Sequence, residues 1–157
     1  MDLFYTTCKK FDGNTLREKQ HNAGRYIVEY VANNIYKLEN SELELVNKKP
    51  RFKYSDINFS ISHCENYAIV VFDNNPVGVD IEKLAPRDFE AIAKRMKFEL
   101  KENTLGSFYE TWTIFEAKYK LQQEAKNVLT IDFMQEYKIS VASSKAEKID
   151  LSNISYI

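Results

Sequence analysis

The residues with the most chemistry in their spacing lie in Pro76-Val77-Gly78-Val79-Asp80-Ile81-Glu82. As a strand, this stretch turns Val77, Val79 and Ile81 to one face and Gly78, Asp80 and Glu82 to the other. Two carboxylates on one strand face repel, and away from bulk water one stays protonated unless a cation sits between them. Hard oxygen ligands with an open side suit magnesium, which keeps waters and takes substrate phosphate oxygens. A third acid, Glu116, stands on a later helical period with Lys120 four residues on. By itself that pair is an ordinary helix-surface ion pair, worth about 0.3 to 0.5 kcal/mol. His63 ends an alternating strand and has no second His or Cys at ligand spacing, so a zinc site is not expected.

The elements that must position these groups follow from periodicity. Leu3 and Tyr5 suggest an edge strand before the turn at Asp12-Gly13-Asn14. Residues 15 to 38 read as a helix whose start carries Arg17, Lys19, His21 and Arg25. Residues 57 to 63 alternate, with Ile57, Phe59, Ile61 and His63 on one face and Asn58, Ser60 and Ser62 on the other. The apolar run 67 to 72 predicts a central strand, and Asp73-Asn74-Asn75-Pro76 predicts an antiparallel hairpin into the Asp80 strand. Helices are expected over about 88 to 98 and 107 to 125. In the second, Phe108, Trp112, Phe115 and Tyr119 form a stripe expected to be core. Residues 129 to 133 and 137 to 141 alternate as strands, and 142 to 157 read as a weak polar tail.

The whole chain sets bounds. Its 157 residues suffice for one domain or two small halves. With 44% hydrophobic and 29% charged residues it has a globular composition. A formal net charge of -1 supplies no basic field for nucleic acid. Two cysteines, Cys8 and Cys64, fit a reducing compartment. The N-terminus shows no signal peptide and no run is long enough to span a bilayer, so a cytoplasmic protein without a membrane partner is expected.

Taken together, four groups of residues are more specific than any one of them. Lys49-Pro50, Ile61-Ser62-His63, Gly78-Val79-Asp80-Ile81-Glu82 and Trp112-Thr113-x-x-Glu116-Ala117-x-x-x-Lys120 occur in that order. The arrangement resembles the surfactin-synthetase-activating class of 4′-phosphopantetheinyl transferases over roughly residues 15 to 133. The resemblance implies an α+β fold of two similar halves, each a helix on a small antiparallel sheet, about 1 to 75 and 76 to 157 of a single 1 to 157 domain. It implies transfer of phosphopantetheine from coenzyme A to a serine of an apo acyl or peptidyl carrier protein, releasing adenosine 3′,5′-bisphosphate. It also implies Mg²⁺ on Asp80, Glu82 and Glu116, with Glu116 helping to deprotonate the carrier serine and Lys120 neutralising the attacked phosphate. Ser62 and His63 would meet the 3′-phosphate, Lys49 and Pro50 the nucleotide end, and Arg25 another phosphate. A monomer would suffice, and which carrier is served, fatty-acid, polyketide or nonribosomal-peptide, is left open.

The sequence also departs from the pattern. Phe115 stands where family members usually carry Lys, Cys64 follows His63 where serine is common, and both terminal segments are short. These departures motivate an alternative, a degenerate relative that binds coenzyme A or a carrier without turnover. A metal-dependent nuclease is a third reading, from Asp80 with Glu116-Ala117-Lys118. It wants Glu and Lys on one strand face, whereas the local period is helical.

Overall fold

The computed structural model describes residues 1–151 and 153–157. Strand β1 (Asp2–Thr7) leads through a 3-10 turn to helix α1 (Leu16–Tyr30). Thr15 and Glu18 start α1 with a reciprocal capping box, which satisfies two of the amide groups a helix start leaves unpaired. A π-helical turn, Val31–Ile35, extends it. A hairpin follows, β2 (Leu43–Val46) and β3 (Lys49–Phe52), whose turn residues Asn47 and Lys48 have φ of 51° and 66°. Then come β4 (Asn58–Cys64), β5 (Tyr67–Asp73), β6 (Val77–Lys83), α2 (Phe89–Met96), α3 (Leu105–Leu121), β7 (Asn127–Phe133), β8 (Tyr137–Ser143) and β9 (Asn153–Tyr156). The architecture is α+β.

The first sheet has the order β4-β5-β1-β9 and the second β6-β8-β7. One face of the first sheet (Phe4, Phe59, Val70, Phe72) packs on α1 through Ala23, Ile27 and Val28 and on the π-helical turn through Val31. Its other face (Leu3, Ile69, Val71) packs on the second sheet through Val77, Val79, Ile81, Ile139 and Val141. The far face of the second sheet takes α3, where Ala117 and Leu121 meet Ala142.

Four expectations change. β1 is not an edge strand: β5 flanks it antiparallel and β9 parallel. β5 and β6 are not a hairpin, because β6 pairs with β8 in the second sheet. The Val79 and Ile81 amides donate instead to the Ser60 and Ser62 hydroxyls of β4, at 3.1 and 3.3 Å, so side chains satisfy what a ladder partner would have taken. The aromatic stripe of α3 is not all core. Phe108 is buried, but Phe115 is 41% and Tyr119 74% exposed. The helix turns Thr113, Ala117 and Leu121 inward, since small side chains let it lie close to the sheet. Finally, the stretch read as a polar tail is built in. Ile149 is buried, β9 pairs with β1, the Ile157 amide donates to the Tyr5 carbonyl, and Thr6 donates its hydroxyl to the Ile157 carbonyl at 2.6 Å. Among the described residues, no helix is long and apolar enough to cross a membrane.

Candidate active site

Asp80 sits on the β6 face that meets α3 and is almost fully buried. The crossing is close because residue 78 is glycine: a Cβ there would overlap the Ala117 carbonyl and crowd the Leu121 amide. Gly78 thus sets the distance between β6 and the helix turn that carries Glu116 and Lys120. Sequence reading placed Gly78 on the correct face without giving it this task; a lone glycine between two β-branched residues in a strand was the available signal.

Lys120 reaches down from α3 and donates to Asp80 Oδ1 at 2.7 Å and to Ser62 Oγ at 2.8 Å. Ser62 in turn donates to Asp80 Oδ1 at 2.9 Å. With the Ile81 amide also on its oxygen, Ser62 is a buried hub joining β4, β6 and α3. Asp80 Oδ2, by contrast, is buried without a hydrogen-bond partner among the described residues. An orphaned carboxylate oxygen beside a paired one is costly unless a cation completes it.

Glu82 and Glu116 both feel the charge of Asp80. Burial, then the charge of Asp80, pushes the Glu82 carboxyl above its usual range, with Arg87 and Lys120 opposing. The same two causes raise Glu116, with Lys120 opposing. Among the described residues, however, no three acids, histidines or cysteines close into a complete metal-holding group. The Lys120 ammonium takes the place on Asp80 Oδ1 that a second cation contact would need. The unpartnered Asp80 Oδ2 is the carboxylate oxygen whose chemistry suits a hard cation.

A cleft of about 740 Å³ opens beside this hub, between α1, the β2–β3 hairpin, β4 and the end of α3. Arg25, Lys49, Pro50, His63 and Lys120 all line it, so five residues scattered over 96 positions of sequence share one wall system. Lys48 adds a positive group, His21 an imidazole and Glu44 a negative group. Arg25 is exposed and pairs with Glu29 at 3.3 Å. His63 reaches the open cleft; desolvation, then the Lys120 charge, holds its imidazole below the usual value. Lys49 lines the cleft but turns its ammonium inward, to the Val77 carbonyl at 2.8 Å and the Lys120 carbonyl at 3.0 Å. Burial, then Arg51 and Lys120, lowers it to about 8. Lys118 is exposed on α3.

A buried acid bridged to a lysine, an unsatisfied oxygen and a basic cleft alongside are an arrangement whose chemistry suits a phosphate-bearing ligand. The comparisons agree in kind. Over 118 residues, 67% of this chain and 51% of the relative, the chain is 33% identical to 4′-phosphopantetheinyl transferase Sfp of Bacillus subtilis (strain 168). Over 74 residues, 41% of this chain and 31% of the relative, it is 32% identical to 4′-phosphopantetheinyl transferase gsp of Aneurinibacillus migulanus. The chain is a relative of the Sfp-like 4′-phosphopantetheinyl transferases, and it spans about half the length of the first and a third of the second. No family model matches it.

Proposed function

We propose that this chain carries the activity its relatives are named for, moving phosphopantetheine from coenzyme A to a serine of an apo carrier protein. The observation that carries this reading is the Lys120–Ser62–Asp80 hub, with its orphaned Asp80 oxygen, at the wall of a basic cleft. Phosphoryl transfer needs positioning and charge neutralisation more than covalent help from the protein. In this reading the cleft takes the nucleotide end, with His63 and Arg25 on phosphate and Pro50 as an apolar wall. Glu116 accepts the proton of the carrier serine; burial raises its proton affinity, as a general base requires. The serine oxygen bonds to phosphorus as the phosphorus–oxygen bond to adenosine 3′,5′-bisphosphate breaks. Lys120 offsets charge on the phosphate under attack. Asp80 would hold Mg²⁺ through Oδ2, aided by Glu82 and Glu116, and bound Mg²⁺ would neutralise the pyrophosphate. The two-half division near residue 75 remains part of this reading, with β9 crossing from the second half to the first sheet.

One observation favours a second reading. Lys120 pairs with Asp80, and no three acids close together among the described residues, an arrangement that suits binding of coenzyme A without turnover. Incubating apo carrier proteins of several types with the protein, coenzyme A and Mg²⁺, then weighing them by mass spectrometry, separates the two. A gain of one phosphopantetheine supports transfer and names the carrier. Coenzyme A binding by calorimetry with no mass gain selects the binder.

A further inference from the structure

We propose that Lys49 is a positioning residue, a cross-strut that fixes the last turn of α3 so that Lys120 meets Asp80, and not a ligand of the nucleotide. The proposal rests on the transfer reading above for its kinetic consequences, but its geometry stands apart from it. A helix leaves its last carbonyls without intrahelical partners. In α3 the helix stops at Gln122, which adopts the left-handed conformation at φ 62°, and the Lys120 carbonyl is one of those left over. Lys49 supplies it with a cation, as suits the negative end of a helix. The same ammonium donates to the carbonyl of Val77, the first residue of β6. Two of its three donors are therefore spent on backbone at the notch where β6 and α3 converge.

The notch is the one Gly78 opens, a residue away from Val77. Lys120 is thus held at both ends: its carbonyl by Lys49 and its ammonium by Asp80 and Ser62. The hairpin that carries Lys49 makes a second tie to the same helix end, Gln122 Nε2 to the Asn47 carbonyl at 3.2 Å. Otherwise the β2–β3 pair forms a two-stranded unit of its own, and such hairpins are weak when isolated. A half-buried cation is an expensive way to fill space. Its use here is explained by two carbonyls that an apolar side chain would leave unpaired.

The test combines kinetics with amide hydrogen exchange on the full chain, using the parent, Lys49→Met, Lys49→Gln, Lys120→Ala and the Lys49→Met/Lys120→Ala double variant. Lys49→Met should lower kcat for carrier modification by about tenfold or more, while KM for coenzyme A stays within about twofold. Added to Lys120→Ala it should cost little more, because both act through one ammonium. Amides of Leu121 and Gln122 should exchange faster, and Lys49→Gln, which keeps donors for the carbonyls, should recover part of each effect. A rise in KM with kcat unchanged, losses that multiply with Lys120→Ala, or undisturbed exchange at the end of α3 would overturn the proposal. If the parent forms no holo-carrier, the transfer reading fails and exchange alone decides Lys49. If Lys49→Met does not fold, Lys49→Gln carries the same comparison.

Discussion

At the residue scale the site turns on one lysine and one unsatisfied oxygen. Lys120→Ala should lower transfer roughly a hundredfold, since a charge contact made mainly in the transition state is worth a few kcal/mol. Coenzyme A affinity should fall less, because Arg25 and His63 stay in the cleft. Unchanged single-turnover transfer would reduce Lys120 to a structural partner of Asp80. The variant should also lose about 1 to 3 kcal/mol of stability by leaving Asp80 less compensated, and millimolar Mg²⁺ should restore part of it in a denaturant melt. His63 yields a pH test. Its depressed value keeps the imidazole neutral near pH 7, and a bound phosphate favours the imidazolium, so binding takes up a proton. Coenzyme A should therefore bind more tightly at pH 6 than at pH 8, measured by calorimetry, and dephospho-coenzyme A should show a weaker trend. By the same sign, a depressed histidine removes stability as pH falls through its unfolded value of 6.5.

At the element scale the controlling feature is how closely α3 lies on β6. Gly78→Ala inserts a methyl against helix backbone that has no flexible side chain to yield. The helix must lift, at a cost of about 1 to 3 kcal/mol or more, and the Lys120 to Asp80 contact should loosen with it. Reduced stability with full transfer would show that the site tolerates a displaced helix. The aromatics on α3 divide by face. Phe108→Ala should cost about 3 to 5 kcal/mol because it is fully buried, whereas Tyr119→Ser should stay within about 0.5 kcal/mol. Equal losses by urea melt would contradict the inward Thr113–Ala117–Leu121 face.

At the scale of the whole molecule, the first and last strands are partners. β9 lies parallel to β1 across almost the full length of the chain, and Ile149 joins the core between the two sheets. Deleting residues 149 to 157 should destabilise the fold by about 2 to 5 kcal/mol for the loss of buried Ile149 alone, before strand pairing is counted. A melt like the parent's would make that segment an appendage. The deletion should also expose an edge at β1, so concentration-dependent association by light scattering is the expected side effect.

The sequence by itself determined the parts that depend on local repeat and residue type. Period-two alternation located β4, β6, β7 and β8, and the 3.6-residue period, with Asp88 near the start of α2, located the helices; the caps at Thr15 and Thr104 came from the structure. The order of the motifs pointed to the family its relatives confirm by name. Strand spacing singled out Asp80, and the family resemblance singled out Ser62, His63 and Lys120. Only the tertiary structure decided what these groups touch. That Ser62 is a hub, that Lys49 points inward, that β6 leaves β5 for β8, and that β9 returns to β1 all depend on contacts between residues 18 to 151 positions apart. Periodicity reports which face of an element is apolar, but it carries nothing about which distant element covers that face. The α3 stripe shows the limit: aromatic spacing named one face as core, and close packing of small residues against Gly78 chose another.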